Sequence, residues 1–152
     1  MKKRIFALVL ALLLLCGCGG KQSKASYTLA DADEVLHSGA YEVDNMAPLD
    51  SFILAMLYGI EEHTIAECVG YMAVNTSVSA DELVVLILTD EEAAIAAEEA
   101  CKARVSAQIA VCESYAPAAV PRLEQALISR RGNTVLLAVG DPEILSSLKG
   151  IQ

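Results

Sequence analysis

The chain has 152 residues with 20 Asp plus Glu against 11 Lys plus Arg, a net charge of −9. That is room for one ordinary domain, and the acidic excess excludes nucleic acid as a partner because its phosphates would be repelled. With two Phe, five Tyr and no Trp, the chain offers few of the stacking rings that carbohydrate and single-strand binders present.

The first segment sets an address. Lys2, Lys3 and Arg4 precede an unbroken apolar run from Ile5 to Leu15. Eleven apolar residues match the roughly 7–15 of a secretory leader and fall short of the ~20 of a spanning helix. Leu15-Cys16-Gly17-Cys18 resembles the lipobox of bacterial lipoproteins, where Leu stands three before the modified Cys and a small residue stands just before it. Cys18 fits. Cys16 does not, because Leu15 would occupy the place where the signal peptidase needs something small. The resemblance implies a diacylglycerol thioether on Cys18, and two acyl chains at about 0.8 kcal/mol per buried CH₂ suffice for stable anchoring.

Residues 1–17 are therefore expected to be a lipoprotein signal peptide, 18–26 a lipidated Cys and flexible tether, and 27–152 a single α+β domain. The tether "GGKQSKAS" has a reach of about 15 Å, and its charges, Lys21 and Lys24, suit an anionic lipid surface. Without residues 1–17 the chain keeps 8 Lys plus Arg against 20 Asp plus Glu, a net charge near −12.

Along the domain, "DADEVLHSG" predicts a first helix with Asp31 as its cap, Glu34 three later and Gly39 as terminator. "PLDSFILAMLYGI" predicts a short helix from about Leu49 to Tyr58, ended by Gly59. "ECVGYMAVNT" alternates and is rich in β formers, and "ELVVLILT" is a continuous apolar run as in a central buried strand. The two are close enough to pair as a hairpin.

Thr89 and Glu92 then form a capping box for the longest helix, roughly Asp90 to Tyr115. Its apolar stripe runs through Ala94, Ala97, Cys101, Val105, Ile109, Cys112 and Tyr115, while Ile95 points away from it. Pro117 and Pro121 stop the helix. "QALISRRGNTVLLAVGD" predicts a hairpin in which Gly132 and Asn133 supply positive φ. Asp141 caps a last helix with Pro142 at its first position and Gly150 past its end. The expected fold is a two-layer α+β sandwich: a four-stranded, mainly antiparallel sheet, one long helix on a face and short flanking helices.

Polar residues on the long helix are the one constellation worth following. Gln108 falls near the middle of the stripe, Arg104 lies one turn earlier and Tyr115 two turns later on the same side. This polar cluster either lines a ligand cleft or satisfies a strand end or loop carbonyl. The acid pairs Asp81-Glu82, Glu91-Glu92 and Glu98-Glu99 read as solvated faces, and adjacent carboxylates make a poor acid–base dyad.

Cys101 and Cys112 are eleven apart, about 16 Å along a helix and beyond the ~7 Å that a disulfide spans. With Cys68 they read as small buried hydrophobes. His63, beside Glu61 and Glu62, lacks the converging ligands of a metal site. Ser146-Ser147-Leu148-Lys149 spells S-x-x-K without its S-D-N and K-T-G companions. No catalytic residue, cofactor or metal ligand set is assigned.

Leu57-Tyr58-Gly59-Ile60, "ADELVVL" leading into the long helix, Arg104, Gln108, Tyr115, Pro117, Pro121, Leu123 and "GNTVLL" from Gly132 to Leu137 occur together in order and spacing. In these the chain, from about Asp31 to Leu148, resembles the Gram-positive, Clostridia-type lipoprotein family known as domain of unknown function 4358. Ala110, Val111 and Cys112 stand where that family often carries acidic or aromatic residues. The resemblance implies export, lipidation and the fold, and no chemistry.

The expected function is that of a membrane-anchored extracytoplasmic lipoprotein acting as a non-catalytic binding or interaction module. Its partners would be the cell membrane, through the diacylglycerol on Cys18, and another membrane or exported protein or a small ligand. The alternative is a hydrolase-like extracytoplasmic enzyme with Arg104, Gln108 and Tyr115 at a cleft on the long helix.

Overall fold

Apolar runs without alternation need cover on both faces, and the two central strands read that way for this reason. The computed structural model describes residues 25–148, 150 and 151. The leader, Cys18, the tether before Ala25 and Lys149 lie outside the described residues. In chain order the elements are α1 (Leu29–Leu36), β1 (Met46–Leu49), α2 (Ser51–Tyr58), β2 (Ile65–Ala73), β3 (Glu82–Leu88), α3 (Glu91–Tyr115), α4 (Val120–Glu124), β4 (Leu127–Arg131), β5 (Thr134–Val139) and α5 (Pro142–Ser147).

The fold is α+β with one five-stranded antiparallel sheet in the order β1-β2-β3-β5-β4. Alternation along β3 and β5 divides their side chains between two cores. Val84, Leu86 and Leu88 with Val135, Leu137 and Val139 face α2 and α3, against Leu54, Ala97, Cys101 and Val105. Leu83 and Val85 with Leu136 and Ala138 face α1 and α5, against Val35, Leu36 and Leu145. Helices thus cover both faces, and the expected two-layer sandwich carries a second helical layer.

The expected four strands become five because Met46–Leu49 forms an edge strand, Met46 pairing Ala73 and Leu49 pairing Gly70. Pro48 concealed it, since proline lacks the N–H of a ladder and is tolerated in a sheet at an edge. The adjoining helix begins at Ser51, with Asp50 accepting from Ile53 N at 2.8 Å, rather than at Leu49. At the other edge, Arg130 of β4 reaches Glu98 of α3 at 2.9 Å. Proline on one edge and paired charge on the other blunt the sheet against further strands.

The hairpin is where it was expected, with Arg131 pairing Thr134 across Gly132-Asn133. Gly132 takes φ +55°, and Asn133 does not share a positive value. Instead Asn133 works through its side chain, donating Nδ2–H to the Leu88 carbonyl at 2.7 Å. The Leu88 N–H returns a bond to the Asn133 carbonyl at 2.8 Å, so the turn also closes the end of β3.

Two caps differ from expectation, by three positions at α1 and by one at α3. Thr28 is the N-cap of α1 and Asp31 is the third residue of its capping box, its carboxylate accepting from the Thr28 N–H at 2.7 Å. Asp90, not Thr89, caps α3, accepting from Ala93 N at 2.8 Å. The Asp90→Ala variant should therefore lose about 1 kcal/mol in urea unfolding, whereas Thr89→Ala should stay within about 0.5 kcal/mol of wild type.

Candidate functional site

Asp81 and Glu82 stand side by side at the mouth of β3, and because strand residues alternate they turn to opposite faces. Both are buried, at 8% and 2% exposure, which overturns the expectation of a solvated acid pair. Glu82 faces α3. Arg104 Nε donates to its two oxygens at 2.7 and 3.0 Å, and Nη2 donates to Oε2 at 2.8 Å. Gln108 Nε2 donates to the same Oε2 at 3.4 Å, and the Tyr58 hydroxyl of α2 donates to Oε1. The Arg104 guanidinium also lies 5.3 Å from the centre of the Tyr58 ring.

Burial pulls the Arg104 guanidinium toward losing its proton, but the bonds and charge of Glu82 outweigh it and the group is held more firmly charged. Burial, then the neighbouring Glu82 charge, pushes the Tyr58 phenol well above its ordinary range. Tyr58 is thus a neutral donor. Every member of this network is directed at one carboxylate, so it holds α2 and α3 on the sheet and leaves no free base or nucleophile.

Of the three residues singled out on the long helix, the structure brings Arg104 and Gln108 together on Glu82 and leaves Tyr115 apart, 81% exposed. The last turn of α3 packs through Cys112 into the core that also holds Ala116, Ala119 and Leu123, and Tyr115 lies outside that core. Ala94, Ala97, Cys101, Val105 and Cys112 of the expected stripe are buried, Ile109 is partly so, and Ile95 is exposed.

Asp81 faces the other way and builds a second arrangement. Arg122 of α4 reaches around the end of the sheet, its Nη1 donating to both Asp81 oxygens at 2.8 and 2.7 Å. This pair lies in a cleft of about 600 Å³ lined also by Ala40, Tyr41, Glu42, Asn45 and Asp141. Segments distant in sequence meet there: the connection from α1 to β1, the ends of β2 and β5, the start of β3 and the turn Pro117–Ala119.

Tyr41 is 7% exposed and its buried hydroxyl has no hydrogen-bond partner among the described residues. An unsatisfied buried hydroxyl costs about 1–3 kcal/mol. Burial, then the Asp81 charge, pushes the phenol far above its usual range, so it stays neutral. Its ring packs so closely on Gly140 that a Cβ there would come within 2.9 Å of Tyr41 Cε1 and 3.0 Å of the Ala40 carbonyl oxygen.

Sequence reasoning missed Tyr41, Asp81, Glu82 and Arg122. A usable signal was present: two adjacent acids open the most apolar strand of a chain that has few arginines to pair with them. Among the described residues no group of three or more His, Cys, Asp or Glu is placed to hold a metal ion. Cys101 and Cys112 are buried and Cys68 is half-buried, all three as free thiols.

The family described as Domain of unknown function (DUF4358) matches residues 39–140. No curated protein and no solved structure matches the chain.

Removing Arg104 leaves Glu82 charged and buried, so Arg104→Ala should cost about 3–5 kcal/mol, and the paired replacement Arg104→Met with Glu82→Leu should recover most of it. Urea midpoints of the two variants decide this. Burial, then the nearby Glu82 charge, pushes the Cys101 thiol up to about 12. Iodoacetamide at neutral pH should therefore alkylate Cys68 of the folded protein well before Cys101, as read by mass spectrometry of peptides.

Proposed function

The chain belongs to the family of domain of unknown function 4358, and on that premise we propose that it is a membrane-anchored extracytoplasmic lipoprotein acting as a non-catalytic binding module. The observation that carries this reading is the separation between the place where the chain enters the domain and the place where the cleft opens. Tyr27 N donates to Thr134 Oγ1 at 2.8 Å, and the Tyr27 hydroxyl donates to the Ile151 carbonyl at 2.8 Å. The Arg131 guanidinium lies 4.5 Å from the Tyr27 ring centre. These contacts fix the incoming chain at the β4–β5 turn. The cleft opens at the opposite end of the same strands, beside Asp81 and Asp141, ~20 Å away by strand length.

With Cys18 lipidated and a tether reach of about 15 Å, the β4–β5 turn sits near the bilayer and the cleft faces away from it. A ligand or an exported partner would arrive from the extracytoplasmic side. Among the described residues no helix is long and apolar enough to cross a membrane, and the attachment proposed here is the lipid on Cys18. Arg104 and Gln108, which a hydrolase cleft on the long helix would require, direct their donors at Glu82. That supports binding over catalysis.

Metabolic labelling with an alkyne fatty acid, followed by detergent phase separation, tests the anchor. Wild type and Cys16→Ala should carry label and partition with detergent, and Cys18→Ala should lose both; labelled Cys18→Ala would refute it. In nanodiscs with nitroxide lipids, a fluorescent residue at Asn133 should be quenched more than one at Asn75, and equal quenching would refute the orientation.

A further inference from the structure

We propose that the cleft receives a small organic molecule bearing a protonated amine, seated by Glu42 and Asp141 with the Tyr41 hydroxyl as a third acceptor. This rests on the binding reading above and adds the ligand's chemistry to it. Four charged side chains line the cleft: Glu42, Asp81, Asp141 and Arg122. Arg122 holds both Asp81 oxygens and its charge is also felt by Asp141 and Glu42, one guanidinium against three carboxylates. Glu42 and Asp141 remain in excess, which repels an anion and favours a cation.

Their free atoms are acceptors. Glu42 receives Asn45 Nδ2 on Oε2 alone. Asp141 receives the Glu143 and Ile144 N–H groups on Oδ1 alone, at 3.0 and 3.1 Å. An ammonium carries three donors and no acceptor, the complement of two carboxylate oxygens and a neutral phenol.

Tyr41 supplies the independent observation, a cleft-lining side chain with a buried hydroxyl that nothing satisfies. Its oxygen is covered in this structure, and Arg122, whose charge acts on it and whose side chain is 41% exposed, holds both Asp81 oxygens through Nη1. On this proposal the Tyr41 hydroxyl is uncovered as the amine enters. Met46, Ala73, Val78, Ala118 and Ala119 give the ligand's carbon skeleton an apolar wall. The volume, about 600 Å³, suits a small molecule, since such sites span roughly 300–1,000 Å³.

The test is saturation-transfer NMR on the detergent-solubilised full chain. The amine probes are putrescine, ethanolamine and glucosamine; succinate and N-acetylglucosamine are the counter-probes, and phosphatidylethanolamine vesicles are the membrane-borne source of the same group. Soluble amines should give transfer. Affinity should fall roughly five- to tenfold in the Glu42→Gln/Asp141→Asn double variant, which removes charge but keeps the Asn45 bond and the helix cap. Tyr41→Phe should weaken the amines without lowering Tm, because the hydroxyl it removes is unpaired.

Amines binding the double variant as well as wild type, or Tyr41→Phe binding them as well, would overturn the proposal. Succinate or N-acetylglucosamine binding in place of amines would overturn the amine and leave the binding module standing. A response to vesicles alone would uphold the amine and overturn the outward-facing cleft. Silence from every probe would overturn the amine site, while the lipid-labelling experiment judges the anchor by itself.

Discussion

The two acids that open β3 hold the three layers in register. Glu82 turns toward α3 and is gripped by Arg104, and Asp81 turns toward the opposite layer and is gripped by Arg122. Arg122 belongs to the layer of the long helix, since its neighbour Leu123 is buried in that core, so its reach to Asp81 ties one layer to the other around the sheet's end. The face of α3 against the sheet is made of Ala94, Ala97, Cys101 and Val105. Such a smooth face specifies position along the sheet poorly, because a slip by a turn sets one small residue in place of another. A bidentate guanidinium–carboxylate pair tolerates no such slip. Buried pairs are weak sources of net stability, and on this reading the contribution of Glu82–Arg104 is the fixed register of the helix.

That pairing also divides the molecule's polar chemistry in two. On the long-helix side, the donors of Arg104, Gln108 and Tyr58 converge on one carboxylate and saturate it. On the other side, Asp81 and Arg122 satisfy each other, while Glu42 and Asp141 keep free oxygens on the cleft and the covered Tyr41 hydroxyl stays without a partner among the described residues. Two neighbouring residues of similar chemistry thus end in different surroundings, Glu82 closed within a core and Asp81 paired with Arg122 at the wall of a cleft. The difference comes from which layer covers them.

Much of the fold was legible because it is local. The 25-residue helix declared itself by periodicity and by its C-terminal prolines. β3 and β5 declared themselves as unbroken apolar runs, and the turn between β4 and β5 by Gly132. β1 was not legible, since Pro48 argues against a strand and only the presence of β2 beside it makes Met46–Leu49 pair. The second helical layer was implied by the absence of alternation in β3 but not drawn from it. Of the polar cluster, Arg104 and Gln108 were legible from their position on the stripe, and their acceptor was not. An acidic pair beside a polar loop has the composition of a solvated face, and only the tertiary placement of two arginines buries it. The cleft was beyond sequence reading for the same reason, its walls coming from segments that no local pattern connects.

Strand order has a consequence for how the chain reaches this state. β3 is flanked by β2, which precedes it, and by β5, which follows only after α3, α4 and β4. A chain completed from its N-terminus therefore holds β1, β2 and β3 as a sheet whose newest edge is its most apolar strand, unpaired until the residues from Thr134 onward are available. Unpaired apolar edges invite association with other chains, and the Asn133–Leu88 bonds at the end of this edge need the β4–β5 turn. The vulnerable period of this protein is thus written into its topology. A chain ending before β5 would lack the partner strand of its own core, and the finished domain hides that dependence because both of its outer strands are already blunted.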